Sequence, residues 1–214
     1  MARRRIARKE APQALSPEEV DRLIARAEAQ DPPMALLIRL LFESGARVSE
    51  ALSVRPVDIE LVENARAAWV SLPNLKRRLR AGQKAPTKRC VITAELARDL
   101  LKAQRGGPDD PIFASPKDPK LPLSRQAVWR RLTKLCEAEG VRRIGKDGRL
   151  RPAWVHTLRH GAAVRLVLAG VPAPLVQEQL GHASLATTQQ YFDLAEQAKL
   201  ELLGRALRDP GLKP

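Results

Sequence analysis

The sequence predicts a mainly α-helical fold with a small antiparallel β-hairpin sheet, an α+β class. Three observations carry this. Several segments place apolar residues at helical spacing behind a recognisable cap. Two short runs, 67–72 and 88–93, read as strands. Between them lies PNLKRRLRAGQKAPT, strongly basic, and no acid occurs from Asn64 to Ala94.

The elements follow in order. Residues 1–10, MARRRIARKE, hold five basic residues and read as a basic arm preceding one domain over 11–214. Ser16-Pro17-Glu18-Glu19 is a helix start, with a serine cap, proline in the first turn and glutamate three residues after the cap. Val20, Leu23, Ile24 and Ala27 mark its apolar face. Asp31-Pro32-Pro33 breaks it. Met34 to Ser44 is apolar nearly all round and is expected at the centre of the helical bundle. Gly45 ends that helix, and Arg47 follows at the start of a short one. Residues 56–59 read as a connector. Thr93 caps a helix to about Gln104, and residues 105–123, with five prolines, form a surface connector.

Ser124 then caps a long amphipathic helix ending at Gly140. Ala127, Val128, Leu132, Leu135 and Cys136 lie on one side; Arg125, Arg130, Arg131 and Lys134 lie largely on the other. VRRIGKDGRLRP, residues 141–152, is expected as a basic loop. Next come a small-residue helix stopped at Gly170 and a shorter one stopped at Gly181. Residues 193–207 are amphipathic, with Leu194, Ala198, Leu202 and Ala206 four apart.

Composition narrows the function. A formal charge of +14 and a pI of about 10.7 are expected of a polyanion binder. Cys90 and Cys136 make no disulfide framework, and the cytoplasm is the natural compartment. No metal or cofactor is expected, because no Cys-x-x-Cys, His-Cys or paired-carboxylate cluster suggests one. No apolar run of membrane-spanning length and no signal peptide is present. The basic hairpin reads as a phosphate-contacting ribbon.

All three histidines, His156, His160 and His182, and the sole tyrosine, Tyr191, fall between residues 156 and 192. Arg159 lies three residues after His156, on the same helical face. Proton-transfer groups, a guanidinium and one phenol are the parts that phosphoryl transfer requires. Here H-x-x-R (His156 to Arg159), L-G-H (Leu180-Gly181-His182) and a tyrosine nine residues later stand in register with SGARVSEAL around Arg47. In these motifs the chain resembles the tyrosine recombinase (phage integrase) family over roughly residues 15–200.

That resemblance implies a catalytic-domain fold and a site-specific recombinase acting through a 3′-phosphotyrosine. Tyr191 would be the nucleophile. Arg47 and Arg159 would hold the scissile phosphate, His156 would assist proton transfer, and His182 would bond the phosphate and help place the tyrosine. A hairpin lysine would be the general acid. Lys76 and Lys84 compete, because the loop is longer than the usual family version, and Lys76 is preferred. Glu50, one turn from Arg47, would brace it, and His160 is read as a support for the fold. Arg77, Arg78, Arg80, Lys88, Arg130, Arg142 and Arg143 are the expected DNA contacts.

The implied partners are double-stranded DNA carrying a specific recombination site and further copies of the chain. A monomer in solution would assemble to a tetramer on paired sites, aided by the 193–207 helix. The family commonly carries a separate N-terminal helical domain. Only 46 residues precede Arg47, so a minimal recombinase or a catalytic domain is expected. A type IB topoisomerase and a non-catalytic DNA-binding protein are the alternative readings.

Overall fold

The computed structural model describes residues 13–73, 87–145, 147–181, 189 and 191–193. The basic arm, Lys76, Lys84, Arg77, Arg78, Arg80, His182 and residues 194–207 lie outside that set.

Helix α1 (Pro17–Gln30) opens with the expected capping box: Glu19 N donates to Ser16 Oγ at 3.3 Å, and Ser16 N donates to Glu19 Oε2 at 2.9 Å. Helix α2 (Pro32–Ser44) buries Met34, Ala35, Leu37, Ile38, Leu40, Leu41 and Phe42. It is the central strut, packing against α1, the short helix α3 (Val48–Leu52), and the later helices α4 (Ala94–Lys102), α5 (Arg125–Ala138) and α6 (Val155–Leu168). An all-round apolar sequence has no solvent face to offer, so neighbours must surround it.

The sheet has three strands, not two. After a 3₁₀ turn at Pro56–Asp58, β1 (Ile59–Leu61) pairs antiparallel with β2 (Ala67–Pro73), and β2 pairs with β3 (Thr87–Thr93) in the order β1-β2-β3. The connector expected at 56–59 is this turn, and the unforeseen strand β1 begins at its last residue, Ile59. Three residues are too few for a period of two to show. The inner face carries Ala68, Val70 and Leu72 from β2 and Cys90 and Ile92 from β3. The basic loop expected at 141–152 is likewise a small ribbon, β4 (Arg142–Ile144) with β5 (Leu150–Pro152), antiparallel through Arg143 and Arg151. Its charged composition hides the strand signal. Helix α5 begins at Ser124, whose Oγ accepts from Ala127 N at 3.1 Å.

Helix α6 crosses α2 and leads through Gly170 to α7 (Ala173–Leu180), which lies on β3 and α6. The approach of α6 is close. A Cβ on Gly161 would stand 2.5 Å from the Leu15 carbonyl oxygen and 2.9 Å from a Phe42 ring carbon. The same contact carries the bond from Leu15 N to Thr157 O at 3.2 Å. Among the described residues no helix is long and apolar enough to cross a membrane.

Gly161→Ala should therefore force α6 away from backbone that cannot yield. The expected loss is about 1–3 kcal/mol, the usual cost of overpacking a core, read as a lower denaturant midpoint at unchanged slope.

Candidate active site

The site forms where three helix ends meet: the C-termini of α2 and α7 and the N-terminal turn of α6. Gly45 (φ 61°) ends α2 in the left-handed region, and Gly181 (φ 66°) does the same for α7. Glycine adopts this conformation without steric cost. A side chain at 45 would also collide with Leu180, so the two helix ends are in contact. The left-handed turn at Gly45 delivers Arg47, in extended backbone, to the N-cap of α3.

Arg47 is held by Glu50. Its backbone N donates to Glu50 Oε2 at 3.0 Å and its Nη1 to Oε1 at 2.7 Å. Glu50 is 0% exposed. Burial pushes its carboxyl pKa up, but Lys88 and then Arg47 outweigh that and hold it below the usual range. Lys88 Nζ lies 3.2 Å from Glu50 Oε2 and donates to the Leu180 carbonyl at 3.1 Å. Lys88 was expected among the DNA contacts. Its side chain instead turns inward and passes under Gly181, where a Cβ would meet its Cδ at 2.7 Å. The signal was in the sequence: Lys88 shares the parity of Cys90 and Ile92, so a period of two puts it on the buried face.

Arg159 is 5% exposed, and its Nη1 donates to the Gly45 carbonyl, two residues before Arg47. Burial, and next the charge of Arg47, lower its pKa. His156 faces solvent one turn earlier on α6. Partial desolvation, then Arg159 and Arg47, bring its pKa below the ordinary histidine value. Tyr191 is 2% exposed and packs with Ala163, Val176 and Leu180. Its phenol oxygen is 2.7 Å from Nδ1 of His160. His160, read from the sequence as support for the fold, therefore touches the phenol itself. Its pKa is pushed down to about 4 by burial and then by His156 and Arg159.

Helix α7 docks on the outer edge of β3 through a residue no motif flagged. The Gln179 amide donates from Nε2 to Val91 O at 2.7 Å and accepts from Val91 N at 2.9 Å, as a paired strand would. Cys90 Sγ donates to the Gln179 carbonyl at 3.2 Å. This fixes Gly181, the residue before His182.

Among the expected DNA contacts, Arg130 and Arg142 are exposed. Arg143 differs: it donates to Glu19 Oε1 at 2.9 Å and to the Ala14 carbonyl at 2.7 Å, tying the β4–β5 ribbon to the start of α1. A partner 124 positions away leaves no local trace in the sequence.

This geometry gathers two guanidinium groups and a solvent-facing histidine beside a covered phenol, an arrangement suited to an anionic ester. Residues 13–198 match the Phage integrase family, and the chain belongs to that family. It is 32% identical over 188 residues to tyrosine recombinase XerD of Halalkalibacterium halodurans, covering 86% of this chain and 58% of that protein. It is 31% identical over 189 residues to tyrosine recombinase XerC of a Roseiflexus species, covering 84% and 55%. The chain thus spans little more than half the length of these relatives. Among solved structures, the XerH recombinase on a palindromic difH substrate aligns with a TM-score of 0.71 at 21% identity, over 94% of this chain and 54% of that one. A lambda integrase dimer bound to a COC′ core site aligns with a TM-score of 0.59 at 24% identity, over 84% and 47%.

If Lys88 and Glu50 form one buried unit, Lys88→Met should destabilise the protein by about 3 kcal/mol, in the range for stranding a buried charge. Glu50→Gln should cost a similar amount, and the double variant clearly less than the sum. A double-mutant cycle by chemical denaturation reads the coupling; additive losses would separate the two residues.

Proposed function

We propose that this domain breaks and rejoins DNA at a specific site through a 3′-phosphotyrosine intermediate. The observation that carries the reading is the pairing of Arg47 and Arg159 around the Gly45 turn, with the sole phenol on the adjoining segment. Two guanidinium groups that stay charged throughout can clamp the non-bridging oxygens as negative charge gathers there. Glu50 and the Gly45 carbonyl hold their planes, which limits reorganisation during the reaction.

In the step itself the Tyr191 oxygen attacks phosphorus and loses its proton, with His156 assisting. The bond from phosphorus to the 5′-oxygen breaks, and a lysine protonates the leaving oxygen. Lys76 is the assigned lysine and Lys84 its competitor. His182 is assigned a hydrogen bond to the phosphate. The phosphotyrosine bond keeps the energy of the phosphodiester, so religation is the same step in reverse. The solvent-facing Arg130 and Arg142, with Arg77, Arg78 and Arg80 of the hairpin, are the proposed contacts to the DNA backbone.

By likeness to the XerH complex with difH and the lambda integrase dimer on its core site, the partner is double-stranded DNA carrying a recombination site. The chain is proposed to be monomeric when free and to assemble to a tetramer on paired sites in the bacterial cytoplasm. The amphipathic segment 193–207 is then the part that docks on a neighbouring copy.

On a nicked suicide substrate the wild type should accumulate a covalent protein–DNA adduct. Tyr191→Phe should form none while binding DNA within a few fold. Arg47→Lys and Arg159→Lys keep the charge but lose the planar fork, and each should slow adduct formation by roughly 100-fold or more. Adducts in the Tyr191 variant would remove the proposed chemistry.

The lysine is assigned by leaving-group replacement. With sulfur in place of the scissile 5′-oxygen, no proton is needed at the leaving atom. Lys76→Ala should regain near wild-type cleavage on that substrate, and Lys84→Ala should show mainly weaker binding. Rescue of the Lys84 variant alone would transfer the role to Lys84.

A further inference from the structure

Tyr191 closes a small apolar cluster with Ala163, Val176 and Leu180, and only 2% of it is exposed. A phenol so covered cannot meet a DNA phosphate without moving. At the covered end its oxygen lies 2.7 Å from His160 Nδ1, with the two rings tilted 43° and their centroids 5.7 Å apart. We propose that His160 is a positioning residue for the nucleophile: it accepts the Tyr191 hydroxyl hydrogen at Nδ1 and holds the phenol, still protonated, within the Ala163–Val176–Leu180 cluster until DNA binding draws it out. This rests on the reading of Tyr191 as the nucleophile.

The construction of α6 supports the assignment. Successive helical residues point about 100° apart. Arg159 turns toward the Gly45 carbonyl, and His160, the next residue, turns toward Tyr191. One turn of helix thus presents a phosphate clamp on one side and a partner for the phenol on the other. The charged and titratable neighbours of His160 are His156, whose ring centroid is 5.6 Å away, and Arg159; with burial they keep its imidazole neutral at working pH. A neutral imidazole offers one ring nitrogen as acceptor, and a phenol is a good donor. A ring with so little affinity for a proton cannot strip one from a phenol of pKa about 10. The contact therefore stores the nucleophile in its unreactive form and does not activate it.

The chain has a single tyrosine, so the ultraviolet absorbance change of phenol ionisation reads Tyr191 alone. Burial and the nearby Arg159 guanidinium act on that ionisation in opposite directions, so the readout is the shift between variants. His160→Leu should shift the Tyr191 ionisation measurably from its wild-type value at an unchanged melting temperature. His160→Asn places an oxygen acceptor near the Nδ1 position and should keep the wild-type value; it also serves if the leucine variant does not fold. On the nicked suicide substrate, adduct formation by His160→Leu should rise above the wild-type rate by up to about 10-fold, the range set by one neutral hydrogen bond. A Tyr191 titration left unchanged by His160→Leu would overturn the proposal. So would slower adduct formation in His160→Leu with DNA affinity intact, which would put His160 in the attack itself. Adducts formed by Tyr191→Phe would instead overturn the nucleophile reading and leave the titration result standing.

Discussion

The buried carboxylate of Glu50 is the constraint on which the site depends. A charge with no solvent exposure costs several kcal/mol unless its oxygens are paired. Arg47 supplies two donors and Lys88 a third contact. These come from the N-terminus of α3 and from β3, and Lys88 reaches on to the last carbonyl of α7. Satisfying one carboxylate thus fixes three chain segments relative to one another. None can shift alone without leaving a buried charge or carbonyl unsatisfied, so a phosphate would meet Arg47 already in place.

A second regularity is where the cations sit. Arg159 donates to the carbonyl that follows α2, and Lys88 donates to the last carbonyl of α7. Helix C-termini carry partial negative charge and unpaired carbonyls, so both positive groups are stabilised as ions there. The stacking of Arg47, Arg159 and Lys88 in a small volume would otherwise be repulsive. Glu50 and the two helix ends supply the compensating negative charge, and the remaining positive potential faces solvent through Arg47.

The edge of the sheet has a part in this too. Strand β3 is an edge strand, and an open edge leaves backbone donors and acceptors unpaired. The Gln179 side chain takes the place of a neighbouring strand at Val91, so the helix carrying the Leu180-Gly181 turn is fastened to the sheet through hydrogen bonds as well as apolar contact. The result is a rigid base beneath a phenol that packs in a small apolar cluster and meets His160.

Much of this was legible from the residues alone. The capping box at Ser16, the apolar run of α2, the left-handed glycines at 45 and 181 and the cap at Ser124 are local signals, because each is decided by atoms a few residues apart. The register of His156, Arg159, Leu180-Gly181-His182 and Tyr191 with the segment around Arg47 pointed to the family before any coordinates. What only the tertiary structure decided is pairwise and distant. Strand β1 and the β4–β5 ribbon exist because partners are available, not because three residues prefer to be extended. Lys88 and Arg143 look like DNA contacts in a basic sequence, yet Glu50 and Glu19 draw them inward. His160 looks like scaffold until the fold sets Tyr191 against it across 31 residues. A side chain's local sequence can fix its helix or strand, but its partner is set by how those elements pack.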